Sequence, residues 1–181
     1  MGYADATAEA IAREAGMSKA TFYEHFDNKE SCMLALFETA TGVVLGALQS
    51  AAGPEQGLPP TQRYRQSIAA LLDVMAENTA FTQTLLVEIV AAGPRARERR
   101  DAFAAAFATY IDDRNARDAE AGLAPRLADP LDAHVIVGAT FELAARQLRT
   151  GDPADLHDLQ PVIERLIAGL LSQGDPQPAR A

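Results

Sequence analysis

The stretch from Gly16 to Lys29, Gly-Met-Ser-Lys-Ala-Thr-Phe-Tyr-Glu-His-Phe-Asp-Asn-Lys, limits what this chain can fold into more than any other. Gly16 can take the positive φ that closes one helix and turns the chain sharply. Ser18 is placed to cap a new helix, its hydroxyl accepting from an otherwise unpaired amide. A helix running from there to about His25 is too short to stand alone, so neighbours must hold it. Phe22 and Phe26, four apart, supply the apolar face for that packing. Lys19, Tyr23 and His25 point elsewhere, and each can donate to a phosphate or a base edge. Asn28 then caps a further helix, whose N-terminus offers Lys29 and free amides as an anion site. A helix, a tight turn and a short second helix with a polar outer face predict a helix-turn-helix and, from it, a DNA-binding regulator.

Gly2-Tyr3, Thr7, Ile11-Ala12, Ala15-Gly16, the run from Ser18 to Phe26 and Asn28-Lys29-Glu30 together resemble the N-terminal domain of TetR/AcrR-family transcriptional regulators. The match is dense from Gly2 to about Glu38. Its specific element is Tyr23, two residues before His25 and six before Lys29, set around the Phe22/Phe26 pair. The resemblance implies an all-α protein: a helix-turn-helix head followed by a helical ligand-binding and dimerisation domain. Met1 to Tyr3 stand where the family pattern ends its first helix, so the head is expected to lack helix 1. Tyr3, Ile11, Phe22, Phe26 and the Leu34/Phe37 face are then expected to stay partly wet. Met1 is accordingly read as an internal methionine of a longer natural protein; an in-frame stop immediately upstream would refute that.

At 181 residues the chain can bury a real core, as one domain or two small ones. Abundant alanine, 6% aromatics and the absence of alternating β-branched runs favour helices over strands. The single cysteine, Cys32, cannot form an internal disulfide, which points to a reducing cytoplasm. No apolar run approaches the ~18–20 residues that span a bilayer. The net charge of −9 argues against indiscriminate nucleic-acid binding. Residues 1–48 carry Arg13, Lys19 and Lys29 against seven acidic side chains, a balance of −4 that is unusual for a DNA-binding head. The chain's two lysines, however, both lie on the proposed DNA face; every other basic residue is arginine.

Four segments follow from the pattern: a head over 1–50, a Gly/Pro-rich linker over 51–60, a helical regulatory domain over 61–173, and a flexible tail over 174–181. Thr7 is expected to cap a helix to about Ala15. A longer helix from about Lys29 past Leu48 turns Met33, Phe37, Ala40, Val44 and Leu48 inward. The second domain is expected to hold helices over about 61–77, 79–92, 94–121, 130–149 and 155–172. Asn78-Thr79, Gly93-Pro94 and Asp129-Pro130 mark three of the starts, and Gly122 one stop. The last helix has a broad stripe of Leu156, Leu159, Ile163, Leu166 and Leu170. The one before it carries Val135, Gly138, Ala139, Glu142 and Ala145. These two helices suit an intramolecular core and a four-helix dimer interface equally well; the resemblance favours the dimer.

For DNA, Lys19, Ala20 and Thr21 begin the short helix and are assigned to base edges, while Thr7, Tyr23, His25 and Lys29 are assigned to phosphates. Tyr64, Met75, Phe81, Phe103, Phe107, Tyr110 and Phe141 form an aromatic and methionine set that core packing mostly explains. The resemblance implies a cavity among them for an apolar or amphipathic small molecule, with Gln83, Thr84, His134 and Gln147 as candidate polar contacts. The cluster Arg95, Arg97, Arg99 and Arg100, interleaved with acids, reads as a solvated face. No metal-ligand spacing, phosphate loop or nucleophile arrangement is present, so no cofactor and no catalysis are expected. The leading reading is a cytoplasmic, ligand-responsive repressor that binds a near-palindromic operator as a homodimer. Its rival is a dimeric helical small-molecule-binding or interaction module without DNA binding.

Overall fold

The computed structural model describes residues 2–51 and 58–173. Within them the chain forms eight α-helices and no strand: α1 (Ala8–Glu14), α2 (Lys19–His25), α3 (Lys29–Ala51), α4 (Pro60–Glu77), α5 (Thr79–Leu86), α6 (Pro94–Glu120), α7 (Pro130–Thr150) and α8 (Gln160–Gln173). Most of the expected punctuation is in place. Thr7 caps α1 by accepting from the Ala10 amide at 3.1 Å, and Gly16 turns the chain at φ +68°. Asp129 and Asp132 form a reciprocal capping box at the start of α7, and Gly151 ends that helix in the left-handed region. The linker at 52–57, the side chain of Leu48 and the tail at 174–181 lie outside the described residues.

Two expected helices are each divided. The segment after Asn78 is α5 followed by a 3-10 turn at Glu88–Ala92. A 3-10 turn brings residues three apart onto one face, which lets Ile89 and Ala92 both bury, at 0% and 5% exposure. Asn78 does not cap α5 with its side chain; its amide instead donates to the Val74 carbonyl at 3.0 Å and closes α4. The segment after Asp155 likewise opens as a 3-10 turn, Leu156–Leu159, before α8. Pro161 has no amide to give and sits in the first turn of α8, where no intrahelical bond needs one.

Burial follows two clusters. The larger joins α4, α6, α7 and α8 around Leu72, Phe107, Val137, Phe141 and Ile163, and it also takes in Val44 of α3. The smaller sets Met33, Phe37 and Ala40 of α3 against Leu85, Ile89, Ala92 and Ala96, with Tyr3 packed at its margin. Helix α3 therefore belongs to both halves of the molecule. The head proper is thinly buried: Ala12 and Phe22 are its fully buried residues in α1 and α2. Ile11 and Phe26 are half-buried, and Ala15 and Met17 are exposed.

Candidate functional site

Helix α2 is short and capped as its sequence predicts. The Ser18 hydroxyl accepts from the Thr21 amide at 3.0 Å, and Gly16 hands the chain over from α1. Phe22 anchors α2 at 1% exposure, edge-on to Tyr23 and tilted against Phe26, both at 5.4 Å. With that face fixed, Lys19, Ala20, Tyr23 and His25 stand in solvent together. Thr21 is half-buried, its hydroxyl 2.9 Å from that of Ser18. Thr7 is exposed beside the start of α1.

The two lysines are already engaged. Lys19 pairs with Glu9 across the turn, both side chains more than half exposed. Such a surface pair costs little to open. Lys29 is held differently. Its ammonium donates to the carbonyls of Tyr3, Ala4 and Ala6 at 3.0, 3.3 and 3.1 Å and stands 4.5 Å over the Tyr3 ring. In this DNA-free structure Lys29 therefore clamps the chain's first turn rather than standing free at the helix N-terminus. The same turn reaches the second half of the molecule, where the Tyr3 amide donates to Glu88 Oε2 at 2.7 Å.

Below the head, a cavity of about 100 Å³ lies among α4, α6, α7 and α8. Its walls are apolar, with Ile68, Leu71, Phe107, Ile136 and Ile163 prominent. One end is polar. There Arg63 pairs with Asp118, and the Tyr64 hydroxyl donates to Asp118 Oδ2 at 3.3 Å. Asn115, 1% exposed, is fully used: its oxygen accepts from the Leu127 amide at 2.8 Å and from Arg126 at 2.9 Å, and its nitrogen donates to the Pro125 carbonyl at 2.9 Å. Arg126 grips Asp112 with both nitrogens, at 2.6 and 2.8 Å, which holds the Asp112 carboxyl below the usual carboxylate range. Burial, joined by the neighbouring Asp118, pushes the Tyr64 phenol up, so it stays a neutral donor.

Of the expected ligand residues, Tyr64, Phe107 and Tyr110 line this cavity. Met75, Phe103 and Phe141 instead enclose a smaller void of about 30 Å³ beside α3. Phe81, at 39% exposure, and His134 face solvent and enter neither, because the inward positions of their helices fall on Thr82, Ala133 and Val137. Gln83, Thr84 and Gln147 also line neither space. Sequence reasoning missed Arg63, Asn115 and Asp118. Asn115 and Asp118 continue the inward phase of Phe107 and Ile111, and polar residues on an apolar stripe were the available signal. Phe103 joins the two spaces: it stacks on Phe107 at 6.2 Å and meets Phe37 of α3 edge-on at 5.9 Å.

Residues 1–36 match the family described as bacterial regulatory proteins, tetR family. That match covers α1, α2 and the first turns of α3, about a fifth of the chain. A curated relative, the HTH-type transcriptional regulator YerO of Bacillus subtilis, is 31% identical over 87 residues, 48% of this chain and 30% of the relative. The chain thus spans under a third of that relative's length. Among solved structures, FadR of Bacillus halodurans, a fatty acid degradation regulator, is similar with a TM-score of 0.79 at 19% identity, over 93% of this chain and 85% of that one. FadR of B. subtilis, in complex with stearoyl-CoA, gives 0.78 at 18% identity, over 94% and 90%. FadR of Thermus thermophilus, a TetR-family repressor in complex with lauroyl-CoA, gives 0.70 at 20%, over 98% and 90%. At these identities the likeness is one of fold. It is the all-helical TetR-family fold.

Proposed function

We propose that the protein is a one-component transcriptional regulator, a repressor that binds a near-palindromic operator as a homodimer and responds to a small apolar or amphipathic effector. The observation that carries this reading is α2, a capped reading helix whose exposed residues are Lys19, Ala20, Tyr23 and His25. Set in a major groove, Lys19, Ala20 and Thr21 meet base edges while Tyr23, His25 and Thr7 take phosphates. Dimer formation is supported by α7 and α8. Leu131 and Val135 on one and Val162 on the other are 65%, 47% and 39% exposed, and Gly138 and Gly169 have open space where a Cβ would stand.

The cavity supplies the effector site, and Phe107–Phe103–Phe37 links its wall to α3. An effector that fits one setting of that stack better than another shifts the spacing of the two heads, since only differential affinity moves an equilibrium. A gel shift against the promoter region of the protein's own gene, with Tyr23→Phe beside the unaltered chain, tests the DNA assignment. A shift with the unaltered chain, weakened alike for specific and non-specific duplex in Tyr23→Phe, supports it. The clamped Lys29 and paired Lys19 favour the rival, a dimeric small-molecule-binding module. No shift at that promoter or at other candidate operators, with effector binding retained, would establish it.

A further inference from the structure

The charged side chains around the main cavity are already spent. Arg63 of α4 pairs with Asp118 of α6, and the two side chains are 11% and 6% exposed. Asp118 takes a second bond from the Tyr64 hydroxyl, at 3.3 Å. Arg114, the other ionic residue of the lining, is not free either. The Nε–H of Arg63 has no acceptor among the described residues, but it is closed to a water-sized probe and offers the cavity nothing. A ligand with a net charge would be buried there without a counter-ion, or would have to break the Arg63–Asp118 pair and strand one member. That cost falls on an anion and a cation alike.

A neutral hydrogen-bonding group fits the same wall. Ser67 lines the cavity one helical turn along α4 from Arg63 and Tyr64; it is half-buried, and its hydroxyl has no hydrogen bond among the described residues. The Tyr64 oxygen donates to Asp118 and receives only a long contact, 3.5 Å, from Asn115 Nδ2, so it keeps an acceptor site. A ligand hydroxyl can donate to that oxygen while accepting from Ser67. The rest of the wall is apolar, with Phe107 and Tyr110 stacked at 6.5 Å along one side. Its volume of about 100 Å³ is of the order of the ~150 Å³ apolar cavity that holds a benzene ring in another protein. Resting on the effector reading above, we infer that the cavity takes a compact neutral alcohol or phenol, one ring or a short apolar body with a single hydroxyl, in preference to a carboxylate or an amine.

Calorimetric titration of the full chain at pH 7 with benzyl alcohol, benzoate, benzylamine and toluene tests this on one ring with a neutral, an anionic, a cationic and an apolar substituent. Benzyl alcohol should bind at least about tenfold tighter than benzoate and benzylamine, because each of those brings a charge with no free partner. Ser67→Ala should weaken benzyl alcohol about fivefold, as expected for one neutral hydrogen bond, and leave toluene unchanged. Ser67→Leu fills the space beside the polar end and should exclude both. Benzoate or benzylamine binding as tightly as the alcohol would overturn the inference while leaving the effector reading of the cavity standing. So would an unaltered alcohol affinity in Ser67→Ala, or undiminished binding in Ser67→Leu. Binding of none of the four would remove the effector reading of this cavity and the inference with it. The gel shift judges the DNA assignment separately.

Discussion

Asn115 is a small residue whose removal the structure makes costly. It sits at 1% exposure and ties α6 to the segment leading into α7 through Leu127, Pro125 and Arg126. In Asn115→Ala the Arg126 guanidinium keeps Asp112, so that loss is cushioned. The Leu127 amide has no such reserve, because its residue is 5% exposed and water reaches it poorly. One stranded buried donor costs ~1–3 kcal/mol, and the weakened Pro125 carbonyl and the small void add ~1 kcal/mol more. The expected total is about 3 kcal/mol, or roughly 6–12 °C in melting temperature for a chain of this size. Asn115→Asp keeps both acceptor contacts but sets a carboxylate oxygen against the Pro125 carbonyl and buries a charge, so it should also lose stability at neutral pH. Urea denaturation gives the free energies, and amide exchange at Leu127 reports the local release. A loss under about 1 kcal/mol in Asn115→Ala, or unchanged protection at Leu127, would refute the account of this residue as the pin of that segment.

Lys29→Met keeps the stem but removes three hydrogen bonds and the contact with Tyr3; stability should fall by ~1–2 kcal/mol, with faster exchange over residues 3–6. A drop in salt dependence of DNA binding without that local release would instead identify it as a phosphate contact. Ser18→Ala should cost α2 about 1 kcal/mol and weaken DNA binding without changing base preference, as competition gel shifts would show. His157 bridges Asp155 and Asp73, both at 2.8 Å, and hydrogen bonds to these carboxylates raise its pKa above the ordinary histidine value. A raised folded-state pKa contributes stability that is full below about pH 6.5 and fades as pH climbs through the raised value. The stability gap between the unaltered chain and His157→Gln should therefore be present at about pH 5.5 and shrink as the pH rises through the raised value, small throughout because the ring is exposed.

Much of the architecture could be read from single residues whose physics is local. Thr7, Gly16, Ser18, Asp129, Gly122 and Gly151 act within one turn of their own position, and the structure uses each where its chemistry suggests. The division of two helices into a 3-10 turn and an α-helix was less legible, since Ile89 and Leu156 bury in either conformation and only tertiary packing selects one. The shared exposure of Lys19, Ala20, Tyr23 and His25 on α2 was legible, and the inward turn of Lys29 was not. Its side chain is long enough to turn inward, and the carbonyls that hold it come from residues 23 to 26 positions away. The cavity was least legible. Aromatic size marked Phe107 and Tyr110, but it equally marked Phe81, which the phase of α5 turns outward. The polar end was hidden because Arg63 and Asp118, 55 residues apart, mean little until the fold sets them together.

The engagement of both lysines also has a consequence for how such a head would search a genome. Random duplex offers phosphates alone, and the grip on it comes almost wholly from cations displacing counterions. A head that has spent one ammonium on its own backbone, and must trade a carboxylate for a phosphate to use the other, holds random duplex feebly. At an operator, the proposed base contacts from the start of α2 would add to that exchange. With millions of competing sites, specificity is a ratio, and it rises as readily by loosening the wrong complexes as by tightening the right one. An acidic head that binds DNA in this way would trade residence on random sequence for contrast at its target.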